Sequence, residues 1–491
     1  MNRDLQMSDQ HPHTVCIIGG GMSGLFTGAL LAKNGYKVTV LEKNHIIGGG
    51  LQSFRRGDAV FNTGMQAFCG YGNDFALKHF IDYIGLNHDE LHFVPLDPDA
   101  QEIVWTDKEH TYRLPKTRKR YEDYLVSQFP HETKGIHQLL DAVYEIGSTF
   151  DYFWLHPMQL HPAAAKYGVI TARQLIGKCI SDETLMRLFE YVGMHLGYNL
   201  SCLPATELGM ILNLYIEGGW RIEGGNLPFA KQLAQYIEKN GGKVYNNKEV
   251  SKITTENRKI IRVETADKQI FVADQYVCAI PPKAFLQITS GEVFRATTYD
   301  RIMEFNNDSS CCICHVKLKP NSMRYRNNLI FIPTPTADKS LPHYISMLTP
   351  PILNQGEWAD TVEILTFARY GEFKQWEHTR TGHRGADYEA KKAELAQKTI
   401  AYISRFYPEL REAVDAVHVS TPLTVRDYYG NPDGAFYAQQ GMFAPVKTKA
   451  SNLFMTGQSV QYQGLFGTLT TSIAVAEIMM GKSLIEKIAK A

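Results

Sequence analysis

The chain has 491 residues, more than one typical hydrophobic core accommodates, so we expect two domains or more. Hydrophobic residues make up 44% and charged residues 21%, which is typical of soluble globular proteins. Lysine plus arginine and aspartate plus glutamate number 51 each, so the net charge gives no indication of a nucleic-acid partner. No uninterrupted apolar stretch reaches the roughly 18 residues that a membrane-spanning helix needs.

The first residues and the cysteines both favour a reduced, cytoplasmic protein. Residues 1–13 are polar and hold no apolar core of signal-peptide length, so we expect a flexible tail. Eight cysteines at irregular spacing do not form a disulfide framework. Only Cys311, Cys312 and Cys314 cluster, with His315 beside them. Adjacent residues of a strand point to opposite faces, so we expect no metal site in this segment.

A complete βαβ unit is predicted at the start of the fold. Its elements are a strand at 15–18, a helix at 23–33 and a strand at 36–41. The region from 74 to about 203 has a mainly helical pattern. Further strands are predicted at 243–245, 260–265, 269–272, 275–279, 310–318, 328–332 and 452–456, and helices at 227–238, 390–406 and from about 469.

Gly19, Gly21 and Gly24 form the spacing G-x-G-x-x-G between the first strand and the first helix. The first glycine allows a tight turn, the second lets the backbone approach a pyrophosphate, and the third lets helix and strand pack closely. The helix N-terminus, with Ser23 in its first turn, would face the phosphates with free N–H groups. Glu42 ends the second strand, where a carboxylate accepts hydrogen bonds from ribose hydroxyls. This motif alone fits NAD as well as FAD, and its alternative is a glycine-rich turn without a ligand.

A second glycine run favours FAD. Gly48-Gly49-Gly50 follows Glu42 and Lys43 closely, and this segment resembles the large family of flavoprotein oxidoreductases that includes the amine oxidases and carotenoid desaturases. In that family a second diglycine lies against the flavin nucleotide. The resemblance implies that Lys43, Gly49 and Gly50 contact FAD, whereas an ordinary glycine turn is the alternative.

The resemblance extends to the middle and the end of the chain. Val250 matches a valine whose backbone meets the adenine, although a plain core valine is an equal alternative. Residues 452–458 resemble the C-terminal flavin signature, in which Gly457 and Gln458 would lie beside the ribityl chain. The helix that follows would direct its N-terminus at the flavin, where negative charge builds on reduction. The residues at that position are Gly467, Thr468 and Leu469.

Within the family, the carotenoid desaturase, carotenoid isomerase and retinol saturase group is the most similar. The segment 421–428 followed by 434–437 resembles that group's "TPLT-x-R-x-Y … G-x-x-Y" pattern, and 61–66 resembles "F-D-T-G-x-H" near the flavin. Asn62 replaces the usual Asp and Gln66 the usual His, which leaves the substrate chemistry open.

Family position also indicates which side chains meet substrate. Gln66 and Tyr437 are the candidates for the substrate pocket, with Tyr437 a candidate proton donor. Gln458 is more typical of the saturase branch. The catalytic residues themselves are not identified from the sequence.

The resemblance implies an FAD-dependent oxidoreductase that saturates, desaturates or isomerises a carbon–carbon double bond of an apolar polyene or isoprenoid-like substrate. Electrons would come from or go to a diffusible partner such as NAD(P)H, because no second G-x-G-x-x-G follows a strand. We expect no nucleic-acid partner. We do expect peripheral contact with a membrane. One alternative is an amine oxidase, with Trp220 and Tyr462 as an aromatic cage, and another is a non-catalytic FAD-binding carrier of apolar cargo.

Aromatic residues of the weakly matched region either line a substrate tunnel or belong to the core. They are Tyr152, Phe153, Trp154, Tyr191, Tyr198 and Tyr215.

The expected fold class is α/β, with a Rossmann-type FAD-binding domain that is discontinuous in sequence and an inserted α+β substrate domain. The FAD-binding domain takes residues 14–75, 219–285 and 441–491. The substrate domain takes a helical part, 76–218, and a sheet and helix part, 286–440.

Overall fold

A five-stranded parallel sheet and a seven-stranded mixed sheet organise the chain. The structure is a computed structural model that describes residues 13–72, 75–105, 110–156, 159, 161–194, 201, 203–289, 293–305, 309–334, 344–349, 356–437, 444–460 and 462–491. The predicted flexible tail, apart from its last residue, lies outside the described residues.

The parallel sheet joins stretches of the chain that are distant in sequence. Its strands, from edge to edge, are Lys243–Tyr245, Lys37–Leu41, Thr14–Ile18, Gln275–Cys278 and Leu453–Met455. Helix Met22–Lys33 joins two central strands and packs beside helices Leu227–Lys239 and Gly464–Met480. The predicted βαβ unit is confirmed to within one residue at each boundary. All three segments assigned to the FAD-binding domain contribute strands, and the exact domain boundaries stay a prediction.

Only two strands of the seven-stranded sheet, at 310–318 and 328–332, were predicted from the sequence, and the other five were not. Its strands, in order, are Val414–Ser420, Ser309–Leu318, Thr361–Arg369, Tyr344–Leu348, Leu329–Pro333, Gln101–Trp105 and His110–Leu114. The last two lie in the region predicted to be mainly helical, so that prediction was wrong there. Gln101–Trp105 is buried at every position because it lies between a distant strand and its own hairpin partner.

Apart from the short strand Phe93–Pro95, the described remainder of that region is mainly helical, as predicted. Its helices are Ala76–Ile84, His88–Leu91, Arg118–Gln128, Thr133–Gly147, Asp151–Trp154, Pro162–Gly168, Ala172–Cys179 and Glu183–Met194, with a 3-10 turn at Pro130–Glu132, and helix Ala205–Glu217 follows the region. Helix Ala205–Glu217 packs against Thr133–Gly147 and carries a mostly apolar surface.

Smaller elements connect the two main sheets. Three antiparallel sheets are formed by Val250–Glu256, Lys259–Thr265 and Ile270–Phe271, by Phe68–Cys69, Gly219–Ile222 and Phe93–Pro95, and by Ser53–Arg56 and Ala59–Asn62. Among the described residues, the other helices are Pro282–Ile288, Ala296–Glu304, Ala386–Ile403, Glu409–Ala413, Pro422–Tyr429 and Ile485–Ala489, with 3-10 turns at Gly49–Leu51 and Tyr370–Trp376. Within the described part of the chain, no helix combines the length and apolar character needed to cross a bilayer.

The cysteine cluster lies on strand Ser309–Leu318, where side chains alternate between faces. Cys311 packs with Val425, whereas Cys314 packs on the opposite side of the sheet in another part of the core. Burial raises the pKa of both thiols to about 12, so they stay protonated. Among the described residues, no three His, Cys, Asp or Glu side chains are grouped to hold a metal ion.

Candidate cofactor and substrate site

A cavity of about 950 Å³ opens at the carboxyl ends of the parallel strands. Ile18 and Leu41, which end two of these strands, line it together with Thr456, which follows a third. Ligands of open α/β sheets bind at this edge, because loops there diverge and helix N-termini point toward it.

Two glycine turns form the floor of this cavity. The N–H of Gly48 donates to the carbonyl oxygen of Gly20 at 2.8 Å. A Cβ atom on Gly49 would lie only 3.2 Å from the Cα atom of Gly21, and Gly49 has a φ of +54°. Gly21, Gly49 and Gly50 all line the cavity. The predicted cofactor glycines therefore come together and leave room for a ligand to lie directly on the backbone.

The other two glycines of the first motif have the packing roles that the motif predicts. Gly19 lines the cavity and turns the chain with a φ of +106°. Gly24 does not line the cavity, and a Cβ atom on it would overlap the carbonyl oxygen of Gly19. Gly24 thus allows the helix to approach the strand, and Ser23 in the same turn faces the cavity.

Two helix N-termini without side-chain caps open into the cavity. Helix Met22–Lys33 begins after Gly21, and helix Gly464–Met480 begins after Gln463. Neither N-cap residue makes a side-chain capping bond, and of the first N–H groups that of Gly464 donates to the side-chain oxygen of Gln458 at 3.5 Å. The N-terminal ends of both helices therefore favour an anion. These are the two positions at which the resemblance expects the pyrophosphate and the reduced flavin ring.

The second of these helices begins about one turn earlier than predicted. The sequence predicts a helix from about residue 469, but Gly464 and Gly467 already lie in it, and a Cβ atom on Gly467 would overlap the backbone of Tyr462. Thr468 lines the cavity, whereas Leu469 is 2% exposed and packs in the core. The structure therefore does not place Leu469 at the cavity, because the helix end lies further from it than expected.

Glu42 is buried at the end of its strand and lines the cavity. Its carboxylate accepts hydrogen bonds from the N–H groups of Gly20 and Asn44, both at 2.8 Å. Burial raises its pKa, and these hydrogen bonds oppose the shift. The N–H of Lys248 donates to the carbonyl oxygen of Glu42 at 2.7 Å, which brings Val250 to the same end of the cavity. The predicted ribose and adenine contacts therefore lie together.

Lys43 joins this end of the cavity to the segment 421–428. Its ammonium donates to the carbonyl oxygen of Asp427 at 2.5 Å. Burial lowers its pKa, while the charges of Glu249, Glu42 and Asp427 act in the opposite direction. These three carboxylates all line the cavity, so its anionic groups cluster around Lys43.

The C-terminal signature meets the N-terminal motif. Gly457 has a φ of +117°, and a Cβ atom on it would lie 3.3 Å from the hydroxyl oxygen of Ser23. The amide of Gln458 donates to the carbonyl oxygen of Phe436 at 3.3 Å. Gly457 and Gln458 both line the cavity, as does Phe436.

Both predicted substrate-pocket residues line the cavity. The amide of Gln66 donates to Glu363 at 2.7 Å. Tyr437 lies beside Phe436, with ring centroids 5.0 Å apart, and burial raises its pKa, so the phenol keeps its proton. Asn62 does not line the cavity; instead its side-chain oxygen accepts from the N–H of Asn226 at 3.1 Å.

Part of the cavity wall, here called the uncharged arm, is formed by helix Ala205–Glu217 and residues of other segments. Its side chains carry no charge, and they are Met210, Ile211, Leu214, Tyr215, Leu329, Leu465 and Phe466. Of the aromatic tunnel candidates, Tyr215 lines the cavity. Four belong to the packed interior instead: Tyr152, Phe153, Trp154 and Tyr191. Tyr198 lies outside the described residues.

Comparison with known proteins decides the family. The family model described as "Flavin containing amine oxidoreductase" matches residues 22–299, more than half of the chain. The chain belongs to this family. An all-trans-retinol 13,14-reductase of Danio rerio is 23% identical, with 95% of this chain and 86% of the relative covered. A chloroplastic prolycopene isomerase of Arabidopsis thaliana is 22% identical over 86% of this chain and 73% of the relative.

A solved structure supports the fold. A putrescine oxidase bound to putrescine is 14% identical, with a TM-score of 0.63 and coverage of 96% of this chain and 100% of the other. The chain is thus an FAD-dependent oxidoreductase with a mixed α/β fold. The predicted cofactor and the predicted fold class are both confirmed. The glycine floor and the two uncapped helix N-termini fit FAD, which supplies hydride transfer at its isoalloxazine ring when bound.

Three residues next to the cavity were not singled out as site residues from the sequence. Glu363 and His315 are opposite each other on neighbouring strands, and both are almost completely buried. Arg221 is 2% exposed and donates to the carbonyl oxygen of Gln66 at 3.2 Å. The sequence did hold one signal for such a residue: Glu363 is a charged residue within the otherwise mostly apolar segment 361–369. An ionic group is rarely buried without a partner, so this pattern indicates a buried polar contact.

Proposed function

We propose that the protein uses FAD to saturate, desaturate or isomerise a carbon–carbon double bond of an apolar polyene or isoprenoid-like molecule, with saturation favoured. The observation that carries this proposal is the uncharged arm, whose residues line the same cavity as the glycine floor. An extended hydrocarbon placed in this arm would leave water and meet mostly apolar side chains.

The relatives support the same chemistry. Their names describe reduction of a retinol double bond and isomerisation of prolycopene, and both compounds are polyenes. Saturation adds a hydride to one carbon and a proton to the other. Tyr437 is our candidate for the proton donor because its protonated phenol lines the cavity. The two electrons would come from a diffusible donor such as NAD(P)H.

An amine oxidase is the rival enzyme. A protonated amine needs an acidic or aromatic partner when it leaves water. The carboxylates that line the cavity act on Lys43 and none belongs to the uncharged arm, and neither Trp220 nor Tyr462 lines the cavity. Both residues are described, so this placement argues against the aromatic cage that they would form.

Anaerobic mixing tests the proposal. The FAD-loaded protein, reduced beforehand, is mixed with all-trans-retinol, and flavin reoxidation is followed by absorbance while products are identified by mass. Saturation predicts reoxidised flavin and a product heavier by two hydrogens. Desaturation predicts bleaching of the oxidised protein by a more saturated isoprenoid, and isomerisation predicts a changed geometry without net flavin oxidation.

Two results would contradict the proposal. Bleaching of the oxidised flavin by putrescine, without reaction of any polyene, would favour the amine oxidase. A flavin that stays oxidised with every substrate and reductant would favour a non-catalytic carrier of apolar cargo.

The apolar substrate also suggests peripheral contact with a membrane. Polyenes partition into bilayers, so an enzyme that uses them must collect them there, and adsorption through exposed apolar side chains is sufficient. We propose a cytoplasmic protein with a reversibly membrane-bound fraction.

A further inference from the structure

Two buried ionic side chains hold Gln66 at the cavity wall. The carboxylate of Glu363 accepts a hydrogen bond from the side-chain amide of Gln66 at 2.7 Å. The guanidinium of Arg221 donates to the backbone carbonyl oxygen of Gln66 at 3.2 Å. Glu363 is 0% and Arg221 2% exposed, so neither ion exchanges these contacts for water. Gln66 is therefore restrained at both its main chain and its side chain.

The contacts of Glu363 determine which end of the Gln66 amide faces the cavity. One carboxylate oxygen accepts from the N–H of Asn62 at 2.7 Å, and the other accepts from Gln66. A reversed amide would bring two acceptor oxygens together without a hydrogen between them. The NH₂ group of Gln66 is thus directed at Glu363, and its oxygen points away from Glu363 in a residue that lines the cavity.

Neighbouring strands support Glu363 in this position. His315 is directly opposite it in the sheet, and its Nδ1 atom lies 3.5 Å from the carboxylate. The Nε2 atom of His315 is 3.0 Å from the hydroxyl oxygen of Ser420. Although Ser, His and Glu also occur together in hydrolases, neither Ser420 nor His315 lines the cavity. Their arrangement supports a carboxylate and offers no nucleophile to a substrate.

We propose that Glu363 is a positioning residue: it fixes the Gln66 amide with its oxygen toward the cavity, where this oxygen accepts a hydrogen bond from a bound O–H or N–H group. This inference rests on the proposed function, since the donor is either a hydroxyl at one end of the polyene or an N–H of the cofactor ring. A hydrocarbon without a donor leaves this acceptor unpaired and binds less tightly.

One conservative substitution should replace the hydrogen-bond acceptor at the cavity with a donor. In Glu363→Gln, the N–H of Asn62 still requires an acceptor, so the new amide directs its oxygen there and its NH₂ group at residue 66. Gln66 must then rotate and present its own NH₂ group to the cavity. In the double variant Gln66→Glu/Glu363→Gln, the carboxylate at 66 accepts from the new amide and restores an acceptor at the cavity.

Glu102→Gln is the matched control. Glu102 lies in the same seven-stranded sheet and is 6% exposed, but it does not line the cavity. Its carboxylate accepts from the hydroxyl of Tyr407 at 3.0 Å. This variant therefore reports the general effect of neutralising a buried carboxylate in that sheet.

The first measurement is the dissociation constant of all-trans-retinol and of its methyl ether, which lacks the donor, for each FAD-loaded protein. If the donor is the substrate hydroxyl, the wild-type protein and Glu102→Gln should bind retinol about tenfold more tightly than the ether, the size of one net hydrogen bond. Glu363→Gln should lose this preference, and the double variant should regain it. If Glu363→Gln does not fold, Gln66→Met removes the same acceptor and should lose the same preference.

The second measurement is the midpoint potential of bound FAD. If the donor belongs to the cofactor ring, Glu363→Gln should shift the potential and the double variant should return it, while the ratio of the two retinoid affinities stays constant. The proposal would be overturned if Glu363→Gln gave the same ratio of retinoid affinities and the same midpoint potential as Glu102→Gln. So would a change that the double variant fails to reverse, because the effect would then come from lost charge or packing.

Failure of the proposed function gives a different result. A wild-type protein that neither binds nor converts retinoids contradicts the polyene substrate, whereas the midpoint potentials still test the orientation of Gln66. A wild-type protein that converts retinol, with Glu363→Gln unchanged in both measurements, contradicts the positioning role alone.

Discussion

The hydroxyl of Tyr429 occupies the space in which Gly64 would carry a Cβ atom. Both residues line the cavity, and the same hydroxyl would lie 3.4 Å from a Cβ atom on Gly50. Tyr429, which directly follows the segment 421–428, is thus fitted to a glycine of the segment 61–66. The sequence resemblance identified both segments, and their contact explains why a small residue is required at position 64.

Gly64→Ala should displace the ring of Tyr429 and destabilise the FAD-loaded protein by about 1–3 kcal/mol, the usual cost of overpacking. Thermal unfolding with bound FAD measures the loss. The double variant Gly64→Ala/Tyr429→Phe removes the overlapping hydroxyl and should recover most of it. Gly168→Ala, where a Cβ atom would meet nothing within 4 Å, is the control and should be nearly neutral. Equal effects of the two glycine substitutions would contradict the steric argument.

FAD should be bound without a covalent link. Among the described cysteines, Cys69 lines the cavity, and burial raises the pKa of its thiol to about 12, so little reactive thiolate is present. No Cys or His occurs in the C-terminal signature from 452 to 471. Acid precipitation should release the yellow colour into the supernatant for both the wild-type protein and Cys69→Ser. Colour that stays in the wild-type pellet but not in the variant pellet would show attachment at Cys69.

Glu42→Ala should lower FAD affinity by about 1.5–3 kcal/mol, the range for hydrogen bonds to a charged group. The carboxylate is already bonded to two backbone N–H groups, so the substitution also loosens the turn at Gly20. Titration of the FAD-free protein with FAD measures the affinity. Glu264→Ala, in the small sheet outside the cavity, serves as the control. Unchanged affinity in Glu42→Ala would mean that Glu42 does not bind the ribose.

The stability of the FAD-free protein should depend on pH through Glu42. Burial raises its pKa above the ordinary value of 4.5, so the folded state binds this proton more tightly than the unfolded chain. The tighter proton binding adds to the free energy of unfolding at a pH below 4.5. This contribution is lost as the pH rises through the raised pKa of the folded state. Glu42→Gln cannot ionise and should lack this loss. Thermal unfolding of both proteins across this pH range tests the difference, and parallel curves would contradict the shift.

The nucleotide half of the site could be predicted because its signals are local. Gly19, Gly21 and Glu42 lie within one βαβ unit, and each has a role that follows from its place on that unit. The boundaries of that unit were correct for the same reason. A short strand such as Gln101–Trp105 gives no comparable pattern, and it pairs with a strand more than two hundred residues away as well as with its own hairpin partner.

The substrate half depends on contacts between distant residues. Gln66 could be identified by family position, but its partner Glu363 comes from a strand that the sequence does not connect to it. Most aromatic tunnel candidates belong to the packed interior, because aromatic side chains fill a helical core as readily as they line a cavity. The residues that do line the arm, such as Met210 and Leu214, look like any buried apolar helix face.

Membrane adsorption is the prediction that depends most directly on the polyene substrate. Val169 is 82% exposed, and the carbonyl oxygen of the next residue, Ile170, accepts from the N–H of Ala205. Ala205 begins the helix that lines the apolar arm, so this exposed valine lies near the end of that helix. The zero net charge adds little attraction to anionic lipids, and adsorption should scale with buried apolar area.

The FAD-loaded protein should therefore float with neutral liposomes and be released by detergent but not by salt. Val169→Asp should reduce the floating fraction, because a carboxylate resists transfer into the acyl boundary. Val272→Asp is the matched control: Val272 is 72% exposed but lies beside the small sheet at the nucleotide end, and its substitution should not change flotation. If the two variants behave alike, adsorption does not involve Val169. If the wild-type protein never floats and converts only water-soluble compounds, the polyene proposal gives way to a flavoenzyme with a polar substrate.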